Sequence, residues 1–208
     1  MALFPVFMDL SGRKCICIGG GSVAARKIRI LLAFDADVTV ISPKVDRKLE
    51  ELGHAADITI VKREYRPGDL EGAFLAIAAT QSREVNRQIH AEALRRNILV
   101  NVADSPEECT FTFPSVVKRD DLVIGITTSG SYPAFSKRVR ERIEELYPEY
   151  YGNVLKALKE FRGKVLLGIP DADQRKHAMD EMLDEVFRWG ERLSEEQLLQ
   201  KLNKLYEV

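Results

Sequence analysis

The residues with the clearest chemical capability stand near the amino terminus. The run Cys17-Ile18-Gly19-Gly20-Gly21-Ser22-Val23-Ala24 fits the pattern G-x-G-x-x-A, the fingerprint of a turn that cradles a dinucleotide's pyrophosphate. Gly19 permits the tight turn, Gly21 lets the backbone approach the pyrophosphate, and Ala24 allows a helix to pack closely on a strand. Ser22 and Val23 then open that helix, whose free N–H groups and positive dipole end favour the diphosphate's charge. The other reading is a glycine turn kept for packing alone. The acidic residue that often follows the second strand and binds a ribose is missing, because that position reads Ile41-Ser42-Pro43-Lys44. Ser42, Pro43 and Lys44 are therefore the cofactor-side candidates at this point. Lys44 leaves room for a 2′-phosphate, so NAD against NADP stays open.

Two further candidates follow later strands. Thr80, in Ala78-Ala79-Thr80-Gln81, could hydrogen-bond the ribose or nicotinamide side of a cofactor, or could N-cap the helix that begins near Ser82. Asp104 lies just beyond Ile98–Val102, on the sheet edge where open α/β folds bind ligands. It reads either as a proton acceptor or as an Asx turn before Pro106. Cys15 and Cys17 alternate with Lys14, Ile16 and Ile18, so both thiols point to one face of a strand and read as buried and reduced. With only Cys109 and the scattered His54, His90 and His177 besides, no metal-ligand spacing emerges, and no metal site is assigned.

Elements that would position these residues are visible in the hydrophobic pattern. Strands are expected over Lys14–Gly19, Asp37–Ile41, Asp57–Lys62, Ala73–Ala79 and Ile98–Val102, with helices near Ser22–Phe34, Lys44–Gly53 and Ser82–Arg96. This alternation predicts an α/β fold with a Rossmann-type parallel sheet. Beyond Asn101 the pattern changes. Thr110–Pro114 and Leu122–Thr128 read as strands, Lys118-Arg119-Asp120-Asp121 as a charged turn, and the chain from Pro133 onward as helical with a break at Gly163 to Pro170. The expected organisation is a dinucleotide-binding domain over 1–113, a small dimerisation segment over 114–150 and a helical domain over 151–208.

The formal charge of −1, from 31 basic and 32 acidic side chains, excludes the broad positive field of a general nucleic-acid binder. The apolar stretch Met1–Leu10 is too short to span a membrane and lacks the flanks of a signal peptide, so a cytoplasmic protein with no membrane partner is expected.

Beyond the fingerprint, the order of several blocks carries a resemblance. Phe4-Pro5-Val6-Phe7-Met8-Asp9-Leu10 precedes Gly19-Gly20-Gly21-Ser22-Val23-Ala24-Ala25-Arg26-Lys27. Asn101-Val102-Ala103-Asp104-Ser105-Pro106, Phe111-Thr112-Phe113-Pro114-Ser115 and Thr128-Ser129-Gly130-Ser131-Tyr132-Pro133 then follow. Together these blocks resemble the siroheme synthase N-terminal family over residues 2 to 145. The resemblance implies NAD as cofactor, oxidation of precorrin-2 to sirohydrochlorin, and in some members insertion of Fe2+, which would add a ferrochelatase, or lyase, activity. It implies a homodimer built through the segment after the Rossmann domain, and a catalytic aspartate that falls on Asp104. Some members carry a phosphorylated serine where this chain has Thr128, which puts regulation there in doubt. The chain also stops before the methyltransferase domain of the longest members, and is expected not to make its own precorrin-2.

That substrate is edged with acetates and propionates, so anion binders are needed. Ser129, Gly130 and Ser131 offer hydroxyls and helix-terminal N–H groups, and Lys137 and Arg138 lie on the following turns with Arg140. The bland alternative is a solvated helix face in which Arg138 pairs with Glu141 and Arg140 with Glu144. Two rivals to the enzyme remain: a nucleotide-sensing regulator without catalysis, which an acid after the second strand would favour, and an oxidoreductase for a small substrate, to which the helical tail would be of no obvious use.

Overall fold

A computed structural model describes residues 2–55, 57–190, 196, 197, 200 and 201. The chain forms two units, one spanning Phe4–Phe113 and the other running from Pro114 onward and including Leu3. In the first unit the order is β1 (Lys14–Ile18), α1 (Ser22–Leu32), β2 (Asp37–Ile41), α2 (Arg47–His54), β3 (Thr59–Val61), β4 (Leu75–Ala78), α3 (Arg83–Arg95) and β5 (Leu99–Val102). All five strands are parallel, in the spatial order β3-β2-β1-β4-β5. The order reverses between β1 and β4, which makes that point the crevice where a doubly wound sheet takes its ligand.

Alternation along β1 divides the core. Cys15 and Cys17 face α1, whose Ala24, Ala25, Ile28 and Leu31 cover them, while Ile16 and Ile18 face Ile89 and Ala93 of α3. Burying each large aliphatic side chain stabilises the fold by about 1.5–3 kcal/mol, so these stripes, rather than helix propensity, hold α1 and α3 in place. Burial also pushes the Cys17 thiol up to about 12 and the Cys15 thiol up to about 11, which keeps both protonated and unreactive.

The long connection from β3 to β4 is fastened by Glu92 of α3, which is 1% exposed. Its carboxylate accepts the Tyr65 hydroxyl, the Gly68 N–H at 3.0 Å and the Arg96 Nε–H at 3.0 Å. Burial by itself would raise this carboxyl's pKa, but the donors outweigh it and hold it below the ordinary range.

Several boundaries differ from the sequence expectation. Thr110–Pro114 is not a strand; the strand is β6 (Ser115–Arg119), paired antiparallel with β7 (Leu122–Ile126). The extended residues before it instead run along the free edge of β5, where the Thr110 N–H donates to Val100 O at 2.9 Å and the Val100 N–H to Thr110 Oγ1 at 2.8 Å. Lys118 and Arg119 belong to β6, so the charged turn shrinks to Asp120 and Asp121. Helix α2 begins at Arg47, not Lys44, because Asp46 caps it by accepting the Lys48 N–H at 2.8 Å. The tail break expected over Gly163 to Pro170 falls at the end of that range, at Ile169–Asp171, because α5 (Tyr151–Gly168) continues through Gly163 before α6 (Ala172–Gly190) begins.

The second unit also contains α4 (Pro133–Leu146). Arg119 joins the hairpin to the α4–α5 turn by donating to Tyr147 O at 2.8 Å and pairing with Glu149 at 3.0 Å. Val154, Met182 and Val186 form its small core.

Replacing Glu92 with alanine leaves the Gly68 and Leu70 N–H groups without their acceptor, and is expected to lower the unfolding free energy by about 3 kcal/mol at neutral pH. Because the folded carboxyl titrates below its unfolded value, its contribution is complete above the unfolded value and fades as pH falls through the folded one. The parent should therefore lose stability more steeply than Glu92→Ala below about pH 4. Urea melts at neutral and acid pH would show both effects, and equal acid slopes would contradict the assignment.

Candidate functional site

Three loops meet at the switch point, and glycines let them. Gly19 has φ +118, and a Cβ there would lie 2.2 Å from Ala79 O, on the loop that follows β4. A Cβ on Gly20 would lie 2.2 Å from Lys44 O, on the loop that follows β2. That second loop is held by the Asp46 N–H, which donates to Gly20 O at 2.7 Å, and by the Ser42 hydroxyl, which donates to Lys44 O at 2.6 Å. Gly21 is different: its φ is −87 and a Cβ would meet nothing within 4 Å. The space above Gly21 is thus open on the side where α1 begins.

Helix α1 has no side-chain cap and no acidic residue in its first turn, so the N–H groups of Ser22 and Val23 are presented without a competing carboxylate. Ala24 is fully buried against the sheet, as the third small position of the fingerprint requires. Ser42, Pro43 and Lys44 lie beside this turn, with Lys44 exposed. An open cradle over Gly21, at an uncapped helix start free of acids, fits a dinucleotide's pyrophosphate.

Thr80 stands at the same edge but does not cap α3. Ser82 does, accepting the Val85 N–H, while the Thr80 hydroxyl is 2.8 Å from Asn86 Oδ1 and 3.1 Å from Ser82 O. Its hydroxyl is therefore already engaged in shaping the turn into α3.

Asp104 is exposed in a turn just beyond β5 and has φ +60, a left-handed conformation that aspartate and asparagine tolerate better than other side chains. Cys109 closes this turn. Its thiol takes the Val102 N–H at 3.2 Å and lies 3.3 Å from Ser105 O, so both ends of the turn are fastened by one sulfur. Asn101, 5% exposed, adds a bond from Nδ2 to Phe111 O at 3.0 Å and accepts the ammonium of Lys27. Gly20, Lys27, Asn101 and Cys109 were not among the sequence candidates. Lys27 carried a signal: it interrupts the apolar stripe of Ala24, Ile28 and Leu31 at helical spacing.

The remaining candidates lie in the second unit. Ser129 has φ +52 and Gly130 φ +84, and the Ser131 N–H donates to Thr128 O at 3.0 Å, which forms a tight turn before α4. The Leu3 N–H donates to Ser129 Oγ at 3.2 Å. Lys137 and Arg138 both reach Glu141, at 3.7 and 4.0 Å, and Arg140 pairs with Glu144, as the solvated-face reading expected. The contacts of Lys137 and Arg138 with Glu141 are exposed and loose enough for an incoming anion to replace. Among the described residues no helix is long and apolar enough to cross a membrane, and no three metal-ligating side chains are grouped.

The first unit is thus a Rossmann-type dinucleotide-binding domain. Residues 6–115 match the family described as "Putative NAD(P)-binding". Siroheme synthase of Methylobacillus flagellatus is 40% identical over 176 residues, covering 85% of this chain and 38% of that protein. Siroheme synthase of Chromobacterium violaceum is 36% identical over 184 residues, covering 88% of this chain and 39% of that protein. The chain therefore spans well under half the length of these curated relatives. A solved structure titled "SirC, precorrin-2 dehydrogenase" superposes with a TM-score of 0.76 at 26% identity, covering 97% of this chain and all of that one. The chain belongs to this NAD(P)-binding family, within the group that forms the N-terminal part of siroheme synthases.

Two glycine substitutions separate binding from folding. Gly21→Asp has room for its side chain, so circular dichroism should be native while nucleotide affinity falls about 10²-fold through repulsion of the pyrophosphate. Gly19→Ala should instead destabilise the fold by about 3 kcal/mol through its clash with Ala79. Unchanged affinity in a folded Gly21→Asp protein would remove the cofactor assignment.

Proposed function

We propose that this chain is an NAD-dependent dehydrogenase that oxidises precorrin-2 to sirohydrochlorin. The observation that carries the reading is the near end-to-end likeness to a precorrin-2 dehydrogenase, combined with an open pyrophosphate cradle and a clamped carboxylate on the same sheet edge. Gly19 and Gly21 shape the cradle, and the N–H groups of Ser22 and Val23 hold the diphosphate. Ser42, Pro43 and Lys44 line the adenosine side, and Thr80 lies toward the nicotinamide. NAD, when bound, accepts the hydride that leaves the macrocycle.

Asp104 is assigned to the proton that leaves with it. An exposed carboxylate on a fastened turn can accept that proton without rearranging, and the substrate loses one hydride and one proton in balance. Ser129, Gly130, Ser131, Lys137 and Arg138 are assigned to the substrate's peripheral carboxylates, the two cations exchanging Glu141 for them. The proposal is confined to the oxidation.

A homodimer is part of the proposal. A two-stranded sheet is marginal by itself in water, and the second unit exposes Tyr132 at 66%, Phe135 at 60% and Phe187 at 60%. Sedimentation is expected to give a dimer mass at micromolar concentration; a monomer mass independent of concentration would remove this part.

The clean test of Asp104 is asparagine rather than alanine, because alanine at φ +60 loses about 1 kcal/mol through backbone strain whatever the residue's role. Asp104→Asn should keep its thermal midpoint and its affinity for NAD, while turnover of precorrin-2 falls by about 10² or more. Retained turnover would reduce Asp104 to a turn former.

A further inference from the structure

Helix α1 turns a stripe of Ala24, Ala25, Ile28 and Leu31 onto the sheet, and a cation lies on the same side. Lys27 is half-buried, with its ammonium donating to Asn101 Oδ1 and lying 5.5 Å from the centre of the Phe113 ring. Asn101 passes the contact on. Its Nδ2 lies 3.5 Å from Cys109 Sγ, and that sulfur bonds Val102 and Ser105, the residues on either side of the Ala103-Asp104 turn. A continuous chain of polar contacts thus runs from the helix that begins at the pyrophosphate cradle to both ends of the turn that presents Asp104.

An ammonium in this place is expensive for a purely structural purpose. A methionine of similar length would fill the same space without taking a charge out of water. Burial does hold the Lys27 ammonium below its ordinary range, and the nearby Asp104 only partly opposes that shift. The left-handed turn at Asp104 also needs external restraint, since such conformations persist where surrounding contacts over-determine them.

We propose that Lys27 is a positioning residue that ties the Asp104 turn to the cofactor helix through Asn101 and Cys109, holding the carboxylate in register with the bound nucleotide. The inference rests on the reading of Asp104 as the proton acceptor. It places Lys27 outside the reacting atoms, so its removal acts on turnover rather than on nucleotide binding.

The test uses the full chain with precorrin-2 and NAD, measuring kcat, KM for NAD, the NAD dissociation constant and the thermal midpoint. Lys27→Met is expected to lower kcat about tenfold, with the NAD dissociation constant and KM within about twofold of the parent, because small misplacement of a catalytic group acts on the chemical step. Lys27→Arg should recover most of the loss, since a guanidinium still donates to Asn101. A kcat within twofold of the parent in Lys27→Met overturns the proposal, as does a loss of NAD affinity equal to the loss of kcat, which would move Lys27 into the nucleotide site. Failure of Lys27→Arg to exceed Lys27→Met would also overturn it. Should Lys27→Met not fold, Lys27→Gln takes its place under the same criteria. Asp104→Asn, assayed alongside, distinguishes the two levels: if it retains turnover, the reading of Asp104 as the proton acceptor fails and the proposal with it. If it abolishes turnover while Lys27→Met does not reduce it, the proposal alone fails.

Discussion

Three stretches of backbone approach one another at the switch point because two residues there have no side chains. With Gly19 and Gly20 in place, the loops after β1, β2 and β4 close to distances that any Cβ would prevent, since a Cβ on either glycine would lie 2.2 Å from a carbonyl oxygen of the facing loop. Nearly everything proposed for the site depends on that contact. It carries Ser42 and Lys44 to the cradle from one side and Thr80 from the other, and it points α1 so that its first N–H groups converge on the space above Gly21. The third glycine of the run has the opposite task, since the space a side chain would occupy there is left for the ligand.

A second constraint operates at the sheet's margin. Strand β5 lies at an edge, and an unpaired edge of a parallel sheet is a liability. Cys109 and Thr110 cover it with a sulfur, a hydroxyl and one backbone N–H in place of a further strand. The same cover draws the chain back past Val102 and leaves Asp104 at the tip of a closed turn. Edge protection and placement of the carboxylate are thus one structural event, and Asn101 and Lys27 extend it to the helix above the cofactor.

How much of this was legible in the sequence depended on whether the signal was local. The strands and helices of the first unit follow from alternation and from the apolar stripe of α1, and the fingerprint named Gly19, Gly21 and Ala24 from spacing alone. Boundaries failed where tertiary contacts decided them. Thr110–Pro114 has strand composition, yet it runs along β5 through single bonds because Cys109 offsets it from a regular ladder. The α2 start moved from Lys44 to Arg47 because the 42–46 loop is held against Gly20. Lys27 was detectable as a cation among Ala24, Ile28 and Leu31, but its partner Asn101 is distant in sequence, so its meaning appears only in the fold. The basic residues of α4 were read both ways, and their pairing with Glu141 and Glu144 is the ordinary one.

One reaction is assigned to one sheet edge, and the direct measurement is turnover. The full chain would be incubated with enzymatically made precorrin-2 and NAD while NADH absorbance and the tetrapyrrole spectrum are followed together. Equal amounts of NADH and sirohydrochlorin, appearing at a rate proportional to protein, are the predicted result. Nucleotide binding with neither product formed would contradict the account and leave a cofactor-binding protein without this chemistry.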